Sequence, residues 1–307
     1  MRRCHAPAVT PPRVIALFGP TGVGKTEVAL ALADELRARG ERPVAVSADA
    51  LQVYEGLEIL TGVATREEQR RLEHRLVSFV PVDARFSAGE YAKLAHAEID
   101  ELLAHGETPI VVGGTGLYLR AALAELDLKP APSPELRERW RAEVEARGPE
   151  QLHLDLQERA PWAAERIDPR DRSRIIRAHE LLDLGALDPP GEESQLWTAE
   201  TRHPTRLVGL VRARDDLYAR IDRRVDAMVA AGAEEEVRRA HAAGASDTAR
   251  KALGFDELLA GDVDAMKRRT RNYAKRQLTW MRKLPGVELV DLTTTRPADV
   301  AARLLDP

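Results

Sequence analysis

The 307-residue chain has one cysteine, Cys4, which excludes an intrachain disulfide and a Cys-rich metal site. That scarcity fits a reducing cytoplasm, the location expected for it. Aromatic residues are few, at 4%, so Leu, Val and Ala must fill the core. No run approaches the ~18 apolar residues of a membrane span, so no membrane partner is expected. Residues 1–12 open with Arg2-Arg3 but lack the apolar stretch of an export signal and read as a disordered tail. The 8 histidines show neither H-E-x-x-H nor clustered spacing, and no Ser or Cys sits in a nucleophile setting. A formal charge of 46 − 50 = −4 suggests, taken alone, no nucleic acid partner. No self-complementary heptad seam is present, and a monomer is expected.

What is present is led by Gly19-Pro20-Thr21-Gly22-Val23-Gly24-Lys25-Thr26, which fits G-x-x-x-x-G-K-[ST]. Val14 to Phe18 before it reads as a buried strand, and Glu27 to Arg39 after it as a helix. In that context the glycines let backbone N–H groups converge on an anion at a helix N-terminus. Lys25 adds a mobile positive charge, and the Thr26 hydroxyl can hold Mg²⁺. The pattern indicates a phosphate ester or diphosphate without saying which.

Strand and helix signals alternate over the first 125 residues. Pro43 to Ser47 is a second strand running to Asp49, and Thr108 to Val112 a third, running into Gly113-Gly114-Thr115-Gly116. A helical segment, Ala88 to Leu103, lies between them. The pattern predicts an α/β fold, a parallel sheet flanked by helices. Ligands on such sheets bind at the carboxyl ends of the strands, so the loop, Asp49 and Gly113 to Thr115 should share one crevice. The strand of Asp49 is expected beside that of the phosphate loop. Residues 130–201 are different: Pro-rich at the start, then polar helices at Pro134–Arg147, Pro149–Arg159 and about Ser173–Leu184, with a loop at Asp188–Glu193. They read as a helical insertion between core segments 13–129 and 202–307. The core resumes with a strand at Thr205–Val211, a long helix near Asp215–Ala230, a helical region at Val263–Lys283 and a last strand at Val287–Leu292.

Asp49 can accept a proton from a nucleophile or order Mg²⁺ through water; capping the turn that follows is the alternative. Gln52 and Tyr54 bring an amide and a phenol close by. The third strand ends in glycines and lacks the metal-ordering Asp of many NTPases, which weakens an ATP-hydrolysis reading. Lys267 to Lys283 carries eight Lys/Arg and no acid. Arg269, Tyr273, Arg276 and Trp280 fall on one face of it, an arrangement suited to a phosphate backbone with unstacked bases. A solvated basic helix with Tyr273 and Trp280 in the core is the other reading. Arg166, Arg170, Arg172, Arg174 and Arg177 form a second cluster, diluted by Asp168 and Asp171. Arg220 and Arg224, at i and i+4, can grip a diphosphate, or else pair with Asp215 or Asp222.

Taken in order, these blocks resemble the tRNA dimethylallyltransferase (isopentenyl-tRNA transferase) family from Val14 to Leu292. The Gly19-Pro20-Thr21 opening, Ser47-Ala48-Asp49 with Gln52-Val53-Tyr54, Val112 to Tyr118, Leu217-Tyr218 with Arg220-Ile221 and Arg224, and Ala274 to Trp280 carry the resemblance. It implies a P-loop NTPase-like core. It also implies transfer of a dimethylallyl group from dimethylallyl diphosphate to the N6 amine of the adenosine 3′ of the anticodon, in tRNAs reading U-starting codons. By the same resemblance, Gly19 to Thr26 with Arg220 and Arg224 hold the diphosphate. Asp49, Thr21, Lys25 and Arg220 are catalytic, and Mg²⁺ sits on Thr26 and, through water, on Asp49. The anticodon stem-loop is contacted by Gln52, Tyr54, Gly113, Thr115, Arg174, Arg177, Arg271, Lys275, Arg276, Gln277 and Trp280. The chain departs from the family at Ala50, where Ser is usual, and at Leu60–Ala64, where Gly-Thr-Ala-Lys-Pro is usual; the lost hydroxyl and Lys would weaken RNA or metal contacts. A prenyltransferase for free adenine nucleotides, a small-molecule P-loop kinase and a nucleic-acid-binding protein with a regulatory nucleotide site are the alternatives.

Overall fold

The computed structural model describes residues 14–189 and 195–305. The expected tail at 1–12 and residues 190–193 of the expected loop lie outside the described residues. The chain forms two compact units, residues 127–195 and the remainder on either side of them.

The larger unit is built on a six-stranded sheet of β1 (Val14–Phe18), β2 (Pro43–Ala48), β3 (His74–Arg75), β4 (Thr108–Gly113), β5 (Thr205–Val211) and β6 (Glu288–Asp291). Their order is β3-β2-β4-β1-β5-β6, with every pairing parallel. β1 and β2 are buried at every position. Both faces of the sheet are therefore covered, as parallel sheets require, and the strands read as unbroken apolar runs. Because all strands run the same way, Phe18, Ala48, Gly113 and Val211 end at one edge.

One expectation is corrected here. The strand of Asp49 does not lie beside β1; β4 stands between them, with Ala48 opposite Gly113 and Phe18 opposite the same glycine on the other side. Gly113 allows this close fit: a Cβ there would collide with the Ala48 carbonyl. The two-residue β3 is too short to leave a periodic signal in the sequence.

The phosphate-loop helix, Lys25–Ala38, buries Val28, Ala29, Leu32, Ala33 and Leu36 against the sheet and against the last helix, Pro297–Leu305. Its start has Gly24 in the left-handed region at φ 115°, a conformation that glycine adopts without steric cost. Helix Ala88–Ala104 begins with a complete capping box between Ser87 and Glu90, and Tyr91 on it donates to the Ser47 carbonyl at 2.9 Å. A second core, under the strand ends, gathers Val53, Tyr54, Leu57, Val225, Val237 and Phe255.

The smaller unit contains helices Pro134–Arg147, Pro149–Arg159, Pro161–Ala164 and Arg172–Asp183. Ser133 and Asp171 cap two of them by accepting from Leu136 N and Arg174 N. Leu152, Leu156, Val144 and Ile175 fill its interior. Glu180 is buried there, and Arg137 at 3.0 Å and Arg177 at 3.3 Å satisfy its carboxylate. His179 stacks on Trp140 with centroids 4.3 Å apart. Burial holds the His179 imidazole below its ordinary pKa, in the neutral form.

The second core yields a stability prediction. Phe255 is wholly buried, and Phe255→Ala should cost about 3–5 kcal/mol, whereas Leu289→Ala on the exposed side of β6 should stay within about 0.5 kcal/mol. Denaturant midpoints at unchanged slope are the measurement.

Candidate active site

The loop between β1 and helix Lys25–Ala38 is closed on itself and tied to its neighbours. Val23 N donates to Pro20 O at 3.2 Å. The Lys25 ammonium donates to Gly19 O at 2.9 Å and Pro20 O at 3.1 Å. Burial lowers the pKa of Lys25 to about 8, against a raising effect of Asp49 and a further lowering by Arg224. Asp49 and Arg224 are therefore both near enough for their charges to act on Lys25.

Gln277 joins the loop to the rest of the site. Its Oε1 accepts from Thr21 N at 2.9 Å, and its Nε2 donates to Gly114 O at 2.7 Å. The side chain is 5% exposed, so both bonds are formed away from water. A Cβ on Gly114 would collide with that amide and crowd the Lys25 Nζ. Trp280, one helical turn on from Arg276, packs on Gly116 so closely that a Cβ there would enter its ring. Its ring also meets that of Trp197 at a tilt of 47°, with centroids 4.6 Å apart.

Asp49 follows β2 directly. Its Oδ1 accepts from Leu51 N at 2.9 Å, which fixes the carboxylate in a turn. Capping and chemistry are thus compatible there, since Leu51 N engages one oxygen. After β4, whose Gly113 is the partner of Ala48, Thr115 Oγ1 and Tyr273 Oη lie 3.1 Å apart. Burial and the Asp49 charge raise the Tyr118 phenol well above its ordinary pKa and Tyr273 to about 12, so both stay protonated.

The two arginines of helix Arg214–Ala230 differ. Arg220 donates to Gly22 O at 2.9 Å and to both Glu27 oxygens at 2.8 and 3.0 Å. It braces the loop from its rim and pairs with neither Asp215 nor Asp222. Arg224 makes no hydrogen bond or ion pair among the described residues. Its guanidinium lies against Gly62, where a Cβ would collide with it. Desolvation lowers its pKa, while the Glu68, Asp49 and Glu27 charges act the other way. Arg224 is thus a buried cation whose charge acts on Lys25. The Leu60–Ala64 segment makes room for it: Gly62 ends helix Glu58–Thr61 at φ 66°, and the buried Glu236 carboxylate caps that helix through Ile59 N and Leu60 N at 3.0 and 2.8 Å.

A match to the family model for IPP transferase runs over residues 52–284. The chain belongs to that family. The tRNA dimethylallyltransferase of Thermobifida fusca is 39% identical over 285 residues, 89% of this chain and 88% of its own. That of Desulfosudis oleivorans is 39% identical over 293 residues, 92% of each. The crystal structure of the tRNA isopentenylpyrophosphate transferase of Bacillus halodurans superposes with a TM-score of 0.67 at 32% identity, covering 95% of each chain. The fold is also shared with a eukaryotic dimethylallyltransferase acting on tRNA, at a TM-score of 0.77 and 23% identity over 96% of this chain and 78% of that one.

Several residues expected to meet RNA are engaged inside the protein. Tyr54 is 1% exposed and donates to Thr248 Oγ1 at 2.7 Å, so it is core. The Gln52 amide accepts from Ser47 Oγ at 2.9 Å and donates to Gly62 O at 3.0 Å, clamping the loop beneath Arg224. Arg177 pairs with Glu180 and donates to the Lys129 and Pro130 carbonyls at 3.1 and 2.7 Å. Arg271 pairs with Asp222 at 2.9 Å, and Gln277 faces the phosphate loop. Arg174 is 70% exposed beside Asp171, its own cap. On helix Val263–Met281, Lys267, Arg268, Arg269 and Arg271 all have acidic partners. Lys275 and Arg276 have none among the described residues; Arg276 lies over Tyr273 at 5.4 Å, and Lys283, just past the helix, over Trp197 at 5.3 Å. The basic surface is therefore the C-terminal half of that helix. Sequence reasoning missed Glu27 as the partner of Arg220, and Trp197 as the partner of Trp280. Both pairs span long stretches of chain and leave no local signal.

Gln277→Ala should release Thr21 N and the Gly114 carbonyl while the fold persists. Displacement of the loop by a fraction of an ångström should lower kcat/KM about 10- to 100-fold. A loss of stability with unchanged turnover would contradict the assigned role; thermal unfolding and steady-state kinetics on one preparation distinguish the two.

Proposed function

We propose that the chain transfers the dimethylallyl group of dimethylallyl diphosphate to the exocyclic N6 amine of the adenosine 3′ of the anticodon, in tRNAs reading U-starting codons, releasing diphosphate. The observation that carries this reading is that Gln277 ties the loop of Lys25 to the turn after β4, where the Asp49 and Arg224 charges also act on Lys25. The setting is the cytoplasm, and the acceptor is the anticodon stem-loop.

In this reading the diphosphate lies on the backbone N–H groups of the loop that ends in Lys25 and Thr26. Negative charge grows on the leaving oxygen as the bond to the prenyl carbon breaks. Lys25 and Arg224 neutralise it where water is scarce, and they do so more strongly than in bulk solvent. Arg220 contributes by holding the loop through the Gly22 carbonyl, so it positions rather than reacts. The amine nitrogen forms the new bond to the prenyl carbon, and the Asp49 carboxylate takes the proton it sheds. The adenine must leave the anticodon stack to reach Asp49. Lys275, Arg276 and Lys283 face the RNA backbone, and the Trp197–Trp280 pair stiffens that surface.

A divalent cation fits the donor set without an all-protein cage. Among the described residues no three His, Cys, Asp or Glu side chains cluster as ligands. Mg²⁺ with a diphosphate keeps its waters and needs one or two protein donors, which Thr26 Oγ1 and, through water, Asp49 would supply. When bound, it would share the neutralisation of the leaving group.

The direct test is mass analysis of anticodon stem-loop RNA incubated with the protein, Mg²⁺ and dimethylallyl diphosphate. One five-carbon prenyl unit on the adenosine beside the anticodon is the expected product. Asp49→Ala should abolish it while RNA binding persists. Turnover of AMP with the stem-loop left unmodified would contradict the assigned acceptor.

Lys25 adds a pH prediction. Its pKa of about 8 in the free protein means that it is charged below that value and neutral above it. The bound diphosphate favours the ammonium, so above about pH 8 binding must take up a proton. Affinity for dimethylallyl diphosphate should be level below that point and weaken about tenfold per pH unit above it, until the pKa of the complex is reached. Calorimetric titration across pH 6.5–9.5 reads this, and Lys25→Met should remove the dependence.

A further inference from the structure

Thr115 is expected at the stem-loop by resemblance alone, and its hydroxyl lies 3.1 Å from that of Tyr273. Thr115 occupies the N-cap position of helix Gly116–Leu123, yet its side chain caps no backbone N–H there. Tyr273 is half-buried, with the Arg276 guanidinium over its ring. Each hydroxyl carries one proton, and only one of the two protons lies between the oxygens. Whichever way that bond points, the pair keeps a second O–H with which to donate.

The pair stands beside Asp49 for a topological reason. Ala48 and Gly113 are partners across β2 and β4, so Asp49 and Thr115 leave the sheet next to each other. Tyr273 lies four residues before Gln277 on one helix face, and Gln277 is bonded to Gly114 O. The site therefore offers an acceptor, the Asp49 carboxylate, beside a donor, the second O–H of the pair, with the Gln277 amide also bonded to the phenol. The phenol does not titrate near neutrality, so the donor persists across the working pH range.

An adenine is the complement of that arrangement. Its N6 amine donates, and the ring nitrogens N1 and N7 on either side of it accept. A 6-oxopurine turns an oxygen toward Asp49 and would leave two acceptors facing each other.

We propose that the Tyr273–Thr115 hydroxyl pair donates a hydrogen bond to a ring nitrogen flanking the acceptor amine, and with Asp49 selects a 6-aminopurine. This rests on the prenyl-transfer reading and adds the group that orients the acceptor. A site built to hydrogen-bond one partner discriminates strongly against a base that lacks it, because its own polar group is left unpaired.

The test is a cycle of kcat/KM values on three stem-loop RNAs carrying adenosine, 1-deazaadenosine or 7-deazaadenosine at the acceptor position. Tyr273→Phe should lower kcat/KM on the adenosine RNA about tenfold. On one of the two deaza RNAs, already poor with the unmodified protein, the substitution should cost nothing more; that analogue identifies the nitrogen. Thr115→Val should repeat the pattern, and carries the cycle alone if Tyr273→Phe fails to fold, while Thr115→Ser should retain activity. Equal loss on all three RNAs would make the pair structural and overturn the proposal, as would full activity of both variants on adenosine. An unmodified protein inert toward all three RNAs would instead overturn the transfer reading beneath it.

Discussion

The side-chain amide of Gln277 is the contact on which the site depends. A parallel sheet delivers loops to one edge but does not hold them there. In the proposed reaction the loop after β1 presents its N–H groups to an anion, and the turn after β4 stays clear for the acceptor. Gln277 bonds one atom of each, Thr21 N and Gly114 O, from a helix that crosses both. Its two bonds are buried and directional, so removing either leaves an unsatisfied backbone group. Neither a carboxylate nor an ammonium can replace it, because the site demands an acceptor and a donor on one planar group. The glycines at 113, 114 and 116 follow from this: each clears space for the Ala48 carbonyl, the Gln277 amide or the Trp280 ring.

Electrostatics then assigns the cations. The chain is acidic overall, and most arginines near the site have carboxylate partners: Arg220 with Glu27, Arg271 with Asp222, Arg269 with Glu257. Among the described residues, Lys25 and Arg224 have none. Both are desolvated, and burial depresses the pKa of each; in the proposed reaction they meet the anionic diphosphate. Two cations left together would repel, and Asp49 offsets part of that. In the proposed reaction the same carboxylate takes the proton that the amine sheds.

Local chemistry was legible in the sequence, and long-range pairing was not. The phosphate loop shows because its glycines, lysine and threonine are contiguous and flanked by a strand and a helix. Asp49 and Gly113 to Thr115 show because they end apolar runs. The strand order does not show, since any buried parallel strand has the same pattern, and nothing in β4 says that it lies between β1 and β2. Tyr54 and Gln52 sit close to Asp49 in the chain, but one is folded into the core and the other clamps Gly62. Arg220 and Arg224 look alike at i and i+4. What separates them is Glu27, 193 residues from Arg220. The basic helix likewise reads as one cationic face until the carboxylates of neighbouring helices divide it in half.

The most direct measurement is a crystal structure with Mg²⁺ and a thio-linked, unreactive analogue of dimethylallyl diphosphate. The diphosphate should occupy the Gly19–Thr26 loop, with Lys25 Nζ turned from the Gly19 and Pro20 carbonyls onto it. Arg224 should contact it, and Gln277 should still bridge Thr21 N and Gly114 O. A diphosphate bound away from Lys25, or a loop that binds it only after Gln277 has let go, would contradict the account.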